Sequence, residues 1–497
     1  MTAIITEKFR QHNANQFSES FSESSASTYY LFLGKSMPFT SGTSGGTDTS
    51  PPTPADSVSS EFYLWDSMLG AKKITSSDIS FALPRVNWAN STVFDMYDDT
   101  VSSSNTTASG SSSLYGSNFY FMTSNKDVYK VLDNNGGAAF SGSEPTSTST
   151  SPFASGGYIL KYMYTITASE AVKFITTDYI PVSTDTTVSA AAVDGKIESI
   201  KVTGGSGYTN GTYYAPVFGD GTSQGTSSGA IIRITVSGGS IQSFGLTAGT
   251  DTTIHAGGAA YTFGKVSLSN VFSDTGLSSS ANIGSGTGGD VRVIISPKDG
   301  HGKNAVEELG GHFVIANTTI TQAEGDDFTV ANDFRQVGIV VDPTTFGTTT
   351  VASSTTARQT YVVKFSSATG TFDVDEQITQ ATTGAVGRVV EYDATRKLLY
   401  YQQERFSTYG TATTTQSFTA FSGTNTITGA TTNAVGTPSS TGSDTVTLAN
   451  GNTVTLTSGY ANPELQPDSG NIVYIENRKP IQRVSDQTED VKIIIEF

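Results

Sequence analysis

The chain of 497 residues carries a formal net charge of −17 and contains no cysteine. This acidic balance argues against nucleic-acid binding, because neutralising phosphates requires a basic face. Without cysteine, neither disulfides nor thiolate metal sites can form, so stability must come from packing and assembly.

Composition favours strands over helices. Only 15% of the residues are charged, 51 are glycine, and serine and threonine are abundant. β-Branched and turn-forming residues are typical of strands and their connections, and this length predicts about three domains. The sequence therefore predicts a mainly β, multi-domain, β-sandwich-like architecture with few short helices and inserted β modules.

The N-terminal region predicts a short strand at 3–5, a polar segment to about Thr28, and a strand at 29–33 that ends at Gly34. Residues 40–59 are rich in Gly, Ser, Thr and Pro, which indicates a loop. Apolar residues then recur at steps of three and four over 61–73. This spacing predicts one amphipathic helix, the longest in the chain.

Two residues after the bend at Pro84 are candidates for an interface. An exposed Arg85 and Trp88 would be good interface anchors, since Arg and Trp are enriched in hot spots. The alternative is that Trp88 is a core residue. Three more strands are predicted further on, at 118–123, 128–132 and 159–166.

Two internal repeats follow. GKIESIKVTGG, from Gly195, recurs loosely as GSIQSFGLTAG, from Gly239, and each predicts a strand entered through a tight glycine turn. ITQATTGAVG, at 378–387, recurs as ITGATTNAVG, at 427–436, with eight identities in ten. These copies predict two similar β units with their own small cores, inside a surface-projecting module at 348–459.

Aromatic residues crowd the stretch between the second pair of copies. They are Tyr392, Tyr400, Tyr401 and Phe406. Exposed, they could stack on sugars or on another protein; buried, they would be the core of the module.

Residues with catalytic or metal-binding chemistry are scarce. His301 and His312 lie close together in HGKNAVEELGGH, but their spacing differs from HExxH. Ala305–Leu309 predicts a helical turn closed by Gly310, with the adjacent Glu307 and Glu308 pointing apart. The acidic groups at 326–327 and at Asp373, Asp375 and Glu376 could hold calcium. Solvated turns are the favoured interpretation, since neither group has the regular ligand spacing of a known calcium loop. We therefore predict no catalytic, cofactor-binding or metal residues, and no enzyme.

Alternation dominates the C-terminus. Val491, Ile493, Ile495 and Phe497 fall on one side of an extended chain and Ile494 on the other, which predicts a half-buried strand. A further strand is predicted at 472–475, with a turn at 485–490. Together they predict a compact β element with polar residues at its corners, namely Glu476, Asn477, Arg478, Asp486, Gln487, Thr488 and Glu489.

A family resemblance emerges from these segments. YIENRKPI and SDQTEDVKIIIEF resemble the C-terminal signature of the dimer-forming baseplate wedge subunit of T4-like contractile-tailed phages. AIITEKFRQHNANQF, YYLFLGKSMPF, FYLWDSMLGAKK, ALPRVNW, GGYILKYMYTI, TDYIPV and FRQVGIVVDP follow the order of that family. DGHGKNAVEELGGH resembles a segment of marine T4-like phage proteins, which implies a cyanophage-like relative. The resemblance covers about the first 182 residues, a middle block and the tail, and the intervening segments are enlarged.

The resemblance implies a structural component of the virion tail baseplate, assembled in the host cytoplasm. It implies a homodimer that bridges other wedge proteins. We also expect no cofactor and, from the acidic charge, no nucleic acid. Membrane insertion is not expected, because the chain lacks a run of 18 apolar residues and a signal-peptide pattern. The alternative is a carbohydrate-binding adhesin or tail-tip protein that contacts host glycans. The candidate assembly residues are Arg85, Trp88, Tyr474, Glu476, Asn477, Arg478, Pro480, Asp486, Gln487, Thr488 and Ile494.

Four regions are predicted along the chain. An N-terminal β domain at 1–188 is completed by 460–497. A Gly-rich inserted β region at 189–290, a middle β segment at 291–347 and the repeat module at 348–459 lie between them.

Overall fold

The computed structural model describes residues 6–39, 46–321, 333–405, 418–448, 451–481 and 488–497. Within these ranges, the α-helices are α1 (Glu7–Glu19), α2 (Val58–Ser67), α3 (Ala168–Phe174), α4 (Thr186–Ala191) and α5 (Ala305–Leu309). None of the helices in the described ranges has the length and apolar character needed to cross a membrane.

Strands make up most of the regular structure, which confirms the prediction of a mainly β, multi-domain fold with few short helices. The strands are β1 (Tyr29–Gly34), β2 (Met68–Ile74), β3 (Ile79–Pro84), β4 (Tyr120–Met122), β5 (Asp127–Asp133), β6 (Phe153–Ser155), β7 (Tyr158–Thr165), β8 (Tyr179–Pro181), β9 (Ser199–Ser206), β10 (Gly211–Gly219), β11 (Ile231–Ser237), β12 (Ser240–Ile241), β13 (Thr253–Ala256), β14 (Gly264–Val266), β15 (Val271–Phe272), β16 (Ser280–Ala281), β17 (Thr287–Ile294), β18 (Phe313–Thr321), β19 (Phe334–Val341), β20 (Thr356–Arg358), β21 (Tyr361–Thr369), β22 (Gln377–Gln380), β23 (Ala385–Asp393), β24 (Leu398–Gln402), β25 (Ile427–Gly429), β26 (Val435–Pro438), β27 (Ser443–Thr447), β28 (Thr453–Thr457), β29 (Tyr460–Ala461), β30 (Asn471–Ile481) and β31 (Thr488–Glu496).

The chain forms two compact units. Unit 1 comprises Met1–Gln16, Ser80–Ile315 and Ile494–Phe497, and unit 2 comprises Phe17–Ile79 and Ala316–Ile493. The division into four regions made from the sequence stays a prediction.

Unit 1 contains several antiparallel sheets. One has the order β4-β5-β7-β6, a second has β12-β11-β10-β15-β16, and β9 pairs with β17. The strands predicted at 118–123, 128–132 and 159–166 correspond to β4, β5 and β7.

The glycine turn predicted at Gly195 is present in unit 1. Gly195 has φ +61, and a Cβ there would lie 2.1 Å from the backbone nitrogen of Tyr261, so only glycine is tolerated. β9 begins four residues later, as the repeat predicts. At the second copy, β12 follows Gly239 but contains only two residues.

The first helix was missed by the sequence analysis. α1 lies within the stretch that was predicted only as a polar segment, and it buries Gln11 and Ala14. Its composition is polar almost throughout, so no apolar periodicity marks it. The side-chain amide of Gln11 donates to the carbonyl of Glu307 at 3.3 Å. Glu7 lies in the first turn, where a negative charge interacts favourably with the helix dipole.

Unit 2 contains a five-stranded antiparallel sheet with the order β20-β2-β1-β19-β30. Every residue of β1 is buried. The helix predicted over 61–73 is wrong in its second half, because α2 ends at Ser67 and β2 follows directly. β2 pairs with β1, with Phe32 opposite Ala71, so strand pairing overrides the helical spacing. At 13 residues, α1 is longer than α2, which has 10.

The ITxATTxAVG copies form two hairpins of one nine-stranded sheet in unit 2. β22 and β23 make the first hairpin, and β25 and β26 the second. β22 also pairs with β25, so that Thr379 lies opposite Thr428, its equivalent in the other copy. Ile378 and Ile427 belong to a single core cluster. The expectation of two separate small cores was therefore wrong.

A buried carboxylate links these two hairpins. Glu376, just before β22, accepts hydrogen bonds from the backbone nitrogens of Thr431 and Thr432, at 3.0 and 3.1 Å, and from the Thr432 hydroxyl at 2.8 Å. Glu376 thus stabilises the turn of the second copy.

The C-terminal strands do not form the predicted compact element. β30 is one continuous strand through Pro480 beside β19, whereas β31 lies beside β18 in a sheet with the order β31-β18-β3-β8. β31 begins at Thr488, earlier than the turn predicted at 485–490 would allow. The reason is that each strand pairs with a sequence-distant partner. On the face predicted to point inward, Ile493 is buried, whereas Val491, Ile495 and Phe497 are half-buried.

Candidate assembly surface

β30 carries five of the eleven predicted assembly residues and is the edge strand of the five-stranded sheet. Its register against β19 shifts between Ile339 and Val340. This bulge interrupts the alternation, so that Ile472 and Ile475, three residues apart, both pack against the core of unit 2. The other side chains of β30 do not belong to this core cluster.

Tyr474, Glu476 and Arg478 form a polar row on one face of β30. The Tyr474 hydroxyl donates to Glu476 Oε2 at 3.0 Å, and Arg478 lies 3.1 Å from Glu476 Oε1. Burial, reinforced by the Glu476 carboxylate, raises the pKa of Tyr474 to about 12. The side chains of Glu476 and Arg478 are 41% and 48% exposed, so both charges are available to a partner.

Asn477 has a structural role instead. Its Oδ1 accepts a hydrogen bond from Gln336 at 2.9 Å, and its Nδ2 donates to the carbonyl of Pro52 at 3.0 Å. Asn477 therefore ties the edge strand to β19 and to the 46–57 connection. Pro480 lies where the pairing of β30 with β19 becomes irregular, as expected for a residue without an N–H.

Arg85 and Trp88 lie in unit 1. Arg85 donates to Asn87 Oδ1 at 3.0 Å and to the carbonyl of Thr176 at 2.9 Å. Trp88 is half-buried and packs edge-on against Phe140. Both side chains therefore contribute to local packing, and their role in assembly stays a prediction.

The other candidates lie at the C-terminus. Asp486 and Gln487 are outside the described residues, and Thr488 is the first residue of β31. Ile494 was predicted to face either solvent or a partner. It is half-buried and packs against the cluster of Ala82, Phe174, Phe313 and Ile315 in unit 1, so a core role competes with the assembly role.

A buried ionic cluster in unit 1 was missed from the sequence. The Lys130 ammonium lies 2.6 Å from Glu308 Oε1, 2.9 Å from His301 Nδ1 and 3.6 Å from the centre of the Tyr97 ring. The backbone nitrogen of Gly302 donates to Glu308 Oε2 at 2.7 Å. The HGKNAVEELGGH segment supplies the acid and the histidine, and β5 supplies the lysine. The one indication in the sequence was Lys130, a charged residue in the middle of the otherwise apolar run of β5.

Burial and pairing compete within this cluster. Burial lowers the pKa of Lys130 to about 8, although Glu308 opposes the change. Burial alone would raise the pKa of Glu308, but Lys130 and His301 outweigh it and hold that pKa at about 2. Burial and the nearby Lys130 also lower the pKa of His301. These shifts favour a neutral imidazole that accepts from Lys130 and leave the Lys130–Glu308 pair predominantly ionised at neutral pH, which is a structural arrangement.

A second ionic cluster lies in unit 2, beside a cavity of about 280 Å³. Arg405 contacts Asp66 at 2.9 Å and Asp468 at 2.5 Å, and its guanidinium stacks 4.3 Å above the Phe62 ring. Burial raises the pKa of Asp66 in spite of the Arg405 hydrogen bonds. Both carboxylates engage the one guanidinium, so this cluster also holds the fold together.

The acidic residues considered as calcium ligands, at 326–327 and 373–376, do not form a metal site in the described part of the chain. Glu376 is committed to the turn at Thr431 and Thr432, and the 326–327 pair lies outside the described residues. Across the described ranges, no group of three or more His, Asp or Glu side chains is arranged to hold a metal ion. Of the two adjacent carboxylates in α5, Glu308 is buried and Glu307 is exposed, so the two point apart as predicted.

The fold and the two ionic clusters, around Lys130 and Arg405, define a mainly β protein that is stabilised by core packing and by buried ion pairs. Residues 3–139 and 443–497 match the protein family described as Bacteriophage T4, Gp8. The chain is also similar to baseplate wedge protein gp8 of Enterobacteria phage T4, with 31% identity over 96 residues, which are 19% of this chain and 28% of that protein. The similarity thus spans less than a third of that relative's length. All the candidate assembly residues lie inside the segments that match the family.

Proposed function

We propose that this protein is a structural component of a phage tail baseplate wedge, and not an enzyme. The observation that carries the proposal is the family match in two segments, 3–139 and 443–497, separated by about 300 residues of chain. Two separated matched segments are a stronger signal than one short motif. The baseplate name of the T4 relative supports a location in the virion tail baseplate. We infer that the protein is assembled there from the host cytoplasm.

We further propose that the protein is a homodimer that bridges other wedge proteins of a contractile tail. Glu476 and Arg478 on the edge strand β30 support an assembly role, because both side chains are exposed. In the described structure they contact each other, and Glu476 also accepts from Tyr474. The net charge of −17 suits partners with basic surfaces. A marine relative stays a prediction that rests on one sequence segment.

The adhesin alternative has weaker support. Tyr400 and Tyr401 are 6% and 2% exposed, so they belong to the core of the nine-stranded sheet. Tyr392 packs partly against the same core, and Phe406 lies outside the described residues. The aromatic platform that would stack on a sugar is therefore not offered by these tyrosines.

Affinity purification of the full chain from infected cells tests the proposal. We expect other tail proteins to co-purify with it in a complex of fixed stoichiometry and high mass. Recovery of the chain alone from cells that contain assembled tails would contradict it. A glycan array tests for an adhesin, and a turnover assay on host polysaccharide tests for a polysaccharide-degrading enzyme. Both assays should be negative.

A further inference from the structure

The outer edge of β30 has no strand partner in the described part of the chain. Among the described residues, β30 forms backbone pairs with β19 alone, and it ends the order of its sheet. None of its eleven residues is buried, whereas all six of β1, two strands away, are buried. An edge of this length is a template for another strand.

The charges on this edge are self-complementary in one register. Glu476 and Arg478 lie on the same face, two residues apart. If a second copy runs antiparallel with Asn477 opposite its own counterpart, each Glu476 lies opposite an Arg478 of the other copy. If the centre of the pairing instead moves by one residue, to Glu476 or to Arg478, that residue lies opposite its own counterpart. Like charges then face each other, which destabilises the pair.

We propose that the free edge of β30 pairs antiparallel with β30 of a second copy, centred on Asn477. The two five-stranded sheets then join into one of ten strands. Tyr474 lies opposite Pro480 of the other copy at each end, and the missing N–H of proline limits the ladder there. This inference deepens the proposed dimeric wedge role and rests on it for its biological setting.

Cysteine cross-linking reads the register directly, because the natural chain has no cysteine. Directly opposite residues have Cα atoms about 4.5 to 5.5 Å apart, within disulfide range, whereas diagonal neighbours lie about 7 to 8 Å apart. A mixture of Glu476→Cys and Arg478→Cys proteins should therefore form a disulfide-linked dimer under mild oxidation. Either variant alone should form several-fold less. Val172→Cys, on the exposed face of α3, controls for random collisions.

Charge reversal gives an independent test on the full chain. Glu476→Arg and Arg478→Glu should each weaken the dimer about tenfold in sedimentation equilibrium, and the double variant should restore it, since reversal keeps opposite charges opposed.

Three results would overturn the inference: equal cross-linking by Glu476→Cys alone, a dimer that none of these variants affects, or a monomer. If the chain still co-purifies with tail proteins in those cases, the wedge role stands and only the pairing surface is wrong. Cross-linking to a different tail protein would likewise assign the edge to that partner.

Discussion

Lys130 and Glu308 form a 2.6 Å ion pair in which neither side chain has more than 2% of its surface exposed. The two residues are 178 positions apart in the sequence, one on β5 and the other on α5. Removing two charges from water is costly, and their attraction offsets this cost only when both partners are present. The pair therefore fixes the position of α5 on the sheet of β5.

Replacing Lys130 alone should destabilise unit 1 strongly. Lys130→Met leaves Glu308 buried without its cation, which typically costs about 3 to 5 kcal/mol. Hydrogen exchange of the β5 amides, together with thermal unfolding, measures the loss. The matched control is Lys201→Met, an exposed lysine of β9, which should change stability by less than about 0.5 kcal/mol.

The double variant Lys130→Met/Glu308→Leu should recover much of this loss, because it removes both charges. A double variant as unstable as Lys130→Met would contradict the charge argument and indicate that packing volume decides.

Acid should weaken unit 1 through the same pair. The pKa of Glu308 is about 2 in the folded protein and 4.5 ordinarily, so the unfolded chain takes up its proton first as the pH falls. Stability is present above pH 4.5 and is lost between about 4.5 and 2, by about 3 kcal/mol from this group. Glu308→Gln should be less stable at pH 7 and should show a flatter pH dependence in that window. Parallel curves for the two proteins would contradict the assignment.

The sequence predicted strands best where the alternation or the apolar run was strong. β1, β5 and β7 are apolar runs bounded by turns, and each is where it was predicted. α1 was missed because its polar sequence has no periodicity, and α2 was extended too far because β2 continues the same apolar spacing. Local patterns cannot reveal which strand a segment pairs with.

Glu376 provides a test of how the repeat hairpins are joined. Glu376→Gln keeps the shape but removes the charge that accepts three hydrogen bonds from Thr431 and Thr432. Hydrogen bonds to a charged group contribute about 1.5 to 3 kcal/mol, so we expect a loss of about 2 kcal/mol in unit 2 by chemical denaturation. Asp373→Asn is the control, because its side chain is exposed three residues earlier. Equal stability of the two variants would exclude a special role for Glu376.

The site residues were less predictable than the strands. The segment YIENRKPI marked β30, but the sequence could not show that Asn477 binds Gln336 and Pro52 while Glu476 and Arg478 stay exposed. That difference depends on the bulge in β30 and on a partner strand about 140 residues away.

Deleting 348–459 should unfold unit 2, contrary to the expectation of a separable module. Gln402 donates to the carbonyl of Ser67 at 2.7 Å, and Arg405 binds Asp66. Ala352 and Ala357 lie in the core cluster of β1 and β2. Joining the ends with a flexible linker removes all these contacts. Circular dichroism and limited proteolysis of the deletion protein are the measurements, and a cooperative melt like that of the intact chain would restore the module hypothesis.

The C-terminal strand provides the last test, because neighbouring residues there differ in burial. Ile493 is 3% exposed, so Ile493→Ala should lose about 2 to 4 kcal/mol through the cavity it leaves. Ile494 is half-buried against Phe313 and Ile315, so Ile494→Ala should cost less, about 1 kcal/mol.

Glu496→Gln, which breaks the solvent-exposed contact with Arg10, should cost at most about 1 kcal/mol. Deleting 491–497 removes the whole strand end and should exceed any single change. Thermal unfolding of the four proteins gives the ranking, and incorporation into reconstituted wedges separates folding from assembly. If Ile494→Ala melts like the natural protein but fails to enter wedges, Ile494 acts in assembly, and its contact with Phe313 contributes little to folding.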